Sequence, residues 1–284
     1  MAARNADIRA ALTYHEATKH SQRSLEANPH FLDWETKPLP FKIYRDLEPI
    51  PLVQDAPPSE VPALEAIAAQ PRGPRVASDE GRIPSLAALS RVLYLAAGIT
   101  KRKRQAGGEI LFRAYPNTGA LYHIDLYLVT GELPGLPAGV YHFGPHDFAL
   151  RRLRNGDHRA ALVDASGGNP DVVHAPQLLV SVSTYWRNAW KYQSRAYRHC
   201  FWDAGTLHAN LLAVAESESL EPRVVLGFAD RAVESLLGLD PDREGALTLV
   251  SLGRSQRAPP AAPAMPALRL ATEPLSSSEV DYPA

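Results

Sequence analysis

YWRNAWKYQSRAYRHCFWD, residues 185–203, runs directly into AGTLHANLLAVA, residues 204–215. The second stretch is rich in alanine and leucine and carries no charge. It reads as a buried helix at the centre of the molecule or at a subunit interface. The first stretch interleaves eight aromatic or histidine side chains with Arg187, Lys191, Arg195 and Arg198. As one continuous helix it sets Lys191, Arg195, Arg198 and Trp202 on a single stripe, with Tyr192 about 100° away. Two readings fit such a face. Arginine and lysine stems can lie over aromatic rings as a surface layer, or one lysine and one tyrosine can be held at a substrate pocket. In the second reading partial burial brings the lysine toward a useful base.

The flanking sequence builds a sheet around this helix. Gln177–Ser183 (QLLVSVS), Arg223–Phe228 (RVVLGF) and Ala246–Leu252 (ALTLVSL) are β-branched or aliphatic runs of strand length. Ile124–Val129 and Gly139–Phe143 are strands too, and GPHD at residues 144–147 turns the latter into Phe148–Arg154 as a hairpin. Ser85 caps a helix with apolar positions Leu86, Leu89, Leu93 and Ala96 or Ala97, and Gly98 suits its end. The class is α+β. The 25 prolines exceed the usual share of about 5% and mark three breaks. Residues 38–62 hold seven of them and predict an extended arm crossing the surface. Residues 71–84 form a polar break, and the tail from Ala258 reads as a linker or wrapping arm. The expected division is therefore 1–70, 71–257 and 258–284.

Composition narrows the function. The 284 residues (31.0 kDa) hold 30 Lys+Arg against 31 Asp+Glu, a net charge of -1, so bulk charge draws in neither nucleic acid nor anionic membrane. A small-molecule or peptide partner is expected. The one cysteine, Cys200, excludes an intrachain disulfide or a cysteine-based metal cluster and fits a reducing compartment. No apolar run approaches about 18 residues, so the chain reads as cytoplasmic. Histidine spacing gives no metal site: Gly144 and Pro145 separate His142 from His146, and His15 and His20 are five apart. Lys101–Arg104 (KRKR) reads as a solvated basic loop. Residues 113–122, RAYPNTGALY, form a turn of small polar residues whose open amides suit one wall of a pocket for a planar heterocycle.

WKYQSRAYRHCFWDAGTLHANLLAVA, RAYPNTGALYHIDLYLV, VVLGF and ALTLVSLGR together resemble the flavin-dependent nitroreductase superfamily, and within it the SagB-type (thiazole/oxazole-forming) dehydrogenases. The N-terminal YHEATKHSQRSLEANPHFLDWETKPLPFKIY is similar to the leader segment of that subgroup. The resemblance implies a nitroreductase-like α+β fold, with a central mixed or antiparallel sheet flanked by helices, in an intertwined homodimer that binds FMN in two interfacial clefts. It implies dehydrogenation of an azoline ring to an azole in a peptide or related natural product. Lys191 and Tyr192 fall on the Lys-Tyr motif implicated in removing the ring proton. For the cofactor it implicates Pro116, Asn117, Thr118 and Gly119 in the turn beside the flavin ring, Leu226 and Gly227 facing its N5, Arg254 near the phosphate, and Arg75 and Arg113.

A ring that becomes aromatic must lose a proton to a base and a hydride to a flat acceptor within about 3.5 Å. Lysine acts as that base only when neutral, and Arg195 and Arg198 on the same helix would favour its neutral form. Two departures open a second reading. The family's Pro-Ser-Ala-Gly-Ala-Leu-Tyr-Pro reads Pro116-Asn117-Thr118-Gly119-Ala120-Leu121-Tyr122-His123, and its arginine-rich phosphate segment is reduced to Arg72, Arg75 and Arg82. The alternative is a nitroreductase-fold protein with a degenerate or absent FMN site, acting as a partner subunit, reusing the pocket for other chemistry, or forming one half of a tandem protein.

Overall fold

A computed structural model describes residues 8–27, 29–69, 81–105 and 108–282. Nine helices and nine strands follow one another along these residues. The N-terminal segment carries α1 (Ile8–Thr18), α2 (Gln22–Ala27), β1 (Pro49–Pro51) and α3 (Ala63–Ala68). The body comprises α4 (Leu86–Ala97), β2 (Ile99–Gln105), β3 (Gly108–Arg113), β4 (Ile124–Thr130), β5 (Gly139–Gly144), β6 (Ala149–Asn155), α5 (Arg159–Ala165), α6 (Pro170–Val173) and β7 (Gln177–Thr184). It continues with α7 (Tyr185–Tyr192), α8 (Ala196–Ser217), β8 (Arg223–Val225), α9 (Asp230–Leu237) and β9 (Glu244–Leu252).

Seven strands form one antiparallel sheet in the order β1-β6-β5-β4-β7-β9-β8. Its central strands are buried along their whole length, which is why the sequence shows continuous apolar runs rather than alternation. Alternate side chains nevertheless serve opposite faces. Leu126 and Leu128 join Leu89, Leu93, Leu207 and Leu211 beneath α4 and α8, while Tyr127 and Val129 join Leu162, Val233 and Leu236 beneath α5 and α9.

Local signals act where expected. Ser85 Oγ accepts the Ala88 N–H at 3.1 Å and starts α4, and Gly98 closes it. A Cβ at Gly98 would lie 2.6 Å from the Tyr94 carbonyl oxygen, so the tight exit toward β2 requires glycine. The GPHD turn joins β5 to β6 in register, with Phe143 opposite Leu150.

Three expectations are corrected. Lys101–Arg104 is strand rather than loop: it lies in β2, paired with β3 in a two-stranded ribbon apart from the main sheet. Exposed cations on a strand are stable when the backbone of a partner takes up their hydrogen bonds. The strand expected over residues 223–228 stops at Val225. Residues 185–203 are not one helix. Gln193, at φ 49° and ψ -141°, breaks it into α7, a 3₁₀ turn over Gln193–Arg195, and α8.

The proline-rich arm does more than cross the surface. Its β1 completes the sheet edge against β6, and Tyr44 and Leu52 are buried. The tail runs back over the arm: Arg45 N–H bonds Ala271, Glu273 N–H bonds Ile43, and Leu39 N–H bonds Leu275. No helix among the described residues is long and apolar enough to cross a membrane.

Candidate functional site

Helix α7 springs from the end of β7 and is anchored below by a buried ion pair. Arg187 donates to Asp125 Oδ1 and Oδ2 at 2.9 and 2.6 Å and to the Tyr122 carbonyl at 3.1 Å. Arg187 is 0% and Asp125 3% exposed. The guanidinium holds the Asp125 carboxyl well below the usual carboxylate range, against the opposing effect of burial. One turn later on the same helix stand Lys191 and Tyr192, just before the break at Gln193.

Lys191 opens into a cavity of 420 Å³ that it shares with Gly119, Arg113, Trp34, Lys37 and Trp190. The Lys191 Nζ lies 5.5 Å from the centroid of the Tyr192 ring. Tyr192 in turn rests on the Asn117–Gly119 turn: a Cβ at Gly119, whose φ is +66°, would meet the Tyr192 Oη at 2.8 Å. Burial raises the Tyr192 pKa, with the Asp203 carboxylate adding to the effect. Arg195 and Arg198 do not flank Lys191. The helix break turns them toward α1, where Arg198 Nε bonds Thr18 Oγ1 at 2.8 Å and Arg195 bonds the Thr18 carbonyl. The cations that share the cavity with Lys191 are Lys37 and Arg113. Arg113 donates to the Pro40 carbonyl at 2.7 Å, lies over Phe41 and Tyr122, and keeps a buried Nε without a partner.

The turn is fixed from behind by Asp203. Its carboxylate accepts the Thr118 N–H at 3.1 Å, the Thr118 hydroxyl at 2.7 Å and His123 Nε2–H at 2.9 Å. The Thr118 amide is thus not open to a ligand, while Asn117 accepts the Tyr122 N–H at 2.7 Å and leaves its own buried Nδ2 without a partner. Pro116 accepts the Thr206 hydroxyl at 2.7 Å. Burial lowers the His123 pKa despite Asp203, so the ring is neutral and its Nδ1 pairs with Ser183 Oγ at 2.9 Å. Ser183 also receives the Cys200 thiol at 3.3 Å. His199 packs edge-on against Tyr192, 4.7 Å between centroids, and pairs with Asn188 Oδ1 at 2.7 Å; burial pushes its pKa down to about 4. His123, Ser183, Asn188 and Cys200 line a second, larger cavity of 1380 Å³ on the other side of α7.

The remaining sequence candidates lie elsewhere. Leu226 is 69% exposed just beyond β8, and a methyl group added at the neighbouring Gly227 would meet no atom within 4 Å. Arg254 forms an isolated antiparallel bridge with Arg82, each donating its N–H to the other's carbonyl at 2.7 Å. Arg75 and Arg72 are outside the described residues. Sequence reasoning passed over His123, Asp203, His199, Trp34 and Lys37. Two signals were present: Asp203 is the only carboxylate between Tyr185 and Ala215, and His123 stands where the related turn ends in proline.

The family model for nitroreductases matches residues 81–254, from the Arg82 end of that bridge to its Arg254 end. The chain belongs to the nitroreductase family. A nitroreductase-type protein of Anabaena variabilis has a solved structure that aligns with this nitroreductase-family chain at TM-score 0.68 and 28% identity, covering 85% of this chain and 45% of that one. The trifolitoxin-processing protein TfxB of Rhizobium leguminosarum bv. trifolii is 31% identical over 168 residues, 57% of this chain and 45% of TfxB. The microcin B17-processing protein McbC of Escherichia coli is 30% identical over 133 residues, 45% of this chain and 49% of McbC. The chain therefore spans about half the length of each of these two relatives. The nitroreductase fold expected from the motifs is the fold observed.

Proposed function

We propose that this nitroreductase-family protein is an FMN-dependent oxidoreductase of peptide natural-product biosynthesis that dehydrogenates an azoline ring to an azole. The observation that carries the reading is the 420 Å³ cavity in which Lys191 meets the Gly119 turn between aromatic walls. Similarity to proteins named for processing trifolitoxin and microcin B17 supports a peptide substrate.

The residues present fit the cofactor. Arg82 and Arg254 stand side by side on their bridge as donors for a phosphate, Asn117 Nδ2 is a buried donor without a partner, and Gly227 leaves bare backbone for a flat ring to approach. FMN, when bound, supplies a two-electron acceptor for the hydride. Lys191 takes the ring proton. The Tyr192 hydroxyl, kept protonated by its raised pKa, stands against the Gly119 turn beside that cavity as a hydrogen-bond donor. Trp34 and Trp190 offer the ring apolar walls. Two copies pair through the exposed aromatic face of α8 and α4, where Tyr197, Phe201, Trp202, Tyr94 and Leu95 are 60, 49, 52, 40 and 42% exposed. Lys191→Ala is expected to abolish azoline oxidation and to retain flavin. Full activity in that variant removes the assignment.

A second reading, a flavin-free partner subunit, is favoured by two commitments: the Thr118 amide is spent on Asp203, and Arg82 donates to the Ser219 carbonyl at 3.0 Å. Colour separates the two. Purified protein with near-stoichiometric flavin absorbance supports the oxidoreductase, and protein that stays colourless in excess FMN supports the partner subunit.

A further inference from the structure

Apart from Trp34, the N-terminal motif YHEATKHS…HFLDW has no part in the chemistry just described, yet its side chains converge on the segment that presents that chemistry. Tyr14 Oη donates to the Ser194 carbonyl at 3.0 Å. His30 Nε2 bonds the Trp190 carbonyl at 2.9 Å, and its Nδ1 receives Gln193 Nε2 at 3.3 Å. Both bonds are satisfied together by one tautomer, the ring carrying its hydrogen on Nε2. Trp190 Nε1 donates to the Asp33 carbonyl at 2.8 Å, and the Trp190 ring meets Trp34 edge-on at 5.4 Å. Beyond the break, Arg198 bonds Thr18 Oγ1 at 2.8 Å and the His15 carbonyl at 2.6 Å.

These contacts bracket Gln193, a non-glycine residue at φ 49° and ψ -141°. Left to local preference, a sequence with no glycine or proline between Tyr185 and Ala204 would continue as helix through this point. A backbone in such a sparsely populated region persists only where its surroundings over-determine it. Here the surroundings come from 160 or more residues earlier in the chain. Without the break, Arg195 would follow Lys191 along one stripe.

We infer that Tyr14 and His30 are positioning residues: they hold the helix break at Gln193 that ends α7 directly after Lys191, which lines the 420 Å³ cavity, and Tyr192, which rests on the Gly119 turn, while the same segment closes that cavity with Trp34 and Lys37. The inference rests on the proton-handling role given above to Lys191 and Tyr192. The placement of Lys191 is measurable without any reaction of a substrate or flavin.

The test follows acylation of individual lysines in the full chain by an amine-reactive N-hydroxysuccinimide ester, using peptide mass spectrometry from pH 7 to 10. The parent is compared with His30→Ala, His30→Gln and Tyr14→Phe. Loss of one bracketing bond is expected to speed Lys191 labelling about five-fold in His30→Ala and in Tyr14→Phe. Lys103, exposed on β2, should keep its parent rate. His30→Gln, whose amide carries both a donor and an acceptor, should return Lys191 toward the parent rate. Tyr14→Phe is the milder change and decides the matter if His30→Ala does not fold. Lys191 labelling within two-fold of the parent in Tyr14→Phe, or an equal rise at Lys103, overturns the inference. Selective exposure of Lys191 in a protein that binds no flavin would sink the proposed oxidoreductase and leave the brace standing.

Discussion

Replacing Asp203 by alanine should cost far more than replacing it by asparagine, and the gap follows from counting donors. The carboxylate is 3% exposed and accepts from the Thr118 N–H, the Thr118 hydroxyl and the His123 ring. Alanine strands all three. The hydroxyl can rotate to another acceptor, but the amide and the imidazole N–H cannot, and each hydrogen bond lost from a charged acceptor costs about 2 kcal/mol. A loss of about 4 kcal/mol is expected, which lowers the melting temperature by about 10 °C in a chain of this size. Asparagine keeps one oxygen for Thr118 and turns its NH₂ toward His123. That ring can answer by moving its hydrogen to Nδ1, where Ser183 Oγ accepts it. The asparagine variant should therefore lose only about 1–2 kcal/mol. Urea unfolding followed by tryptophan fluorescence gives both numbers. An alanine variant within about 1 kcal/mol of the parent, or an asparagine variant as damaged as the alanine, would refute the network as drawn.

Other perturbations bear on the same frame. Gly119→Ala forces a methyl against the Tyr192 hydroxyl at a φ of +66°, so azoline turnover should fall while the melting temperature drops by no more than a few degrees; unchanged turnover counts against contact between the turn and Tyr192. His142, enclosed by Tyr44 and Tyr127, has its pKa pushed down to about 3 by burial, whereas in the unfolded chain it protonates near 6.5. Its contribution is whole above pH 6.5 and is lost as the pH falls toward 3, by up to about 4 kcal/mol; His142→Phe should flatten that part of the stability profile, and an unchanged slope rejects the assignment. Lys42 bonds both Glu244 oxygens at 2.7 Å in a nearly enclosed pair, so Lys42→Met should cost about 3–5 kcal/mol. The double change with Glu244→Leu should recover most of that, and a double variant as unstable as the single contradicts it.

The sheet and the capped helix α4 were legible because their signals are local: Ser85 and Gly98 at the helix ends, and apolar runs at strand length. The turn at Asn117–Gly119 and the Lys191–Tyr192 pair were legible through family likeness rather than periodicity. Helical spacing misled at Gln193, where distant contacts from Tyr14 and His30 outweigh local preference. Lys101–Arg104 misled for a related reason, since a strand in a separate ribbon needs no apolar face against a core. His123 and Asp203 could not be paired from sequence, because 80 residues and most of the sheet separate them.

The way the proline-rich arm and the tail lie together has a practical corollary. Tyr44 and Thr272 face each other as an antiparallel pair, Arg45 clasps Glu273, and Trp186 Nε1 holds Ser276 at 2.8 Å. A protease nick in the exposed stretch near Arg257 would leave the severed piece tied down at several points. Such damage would escape gel filtration and surface only once detergent strips the fragments apart.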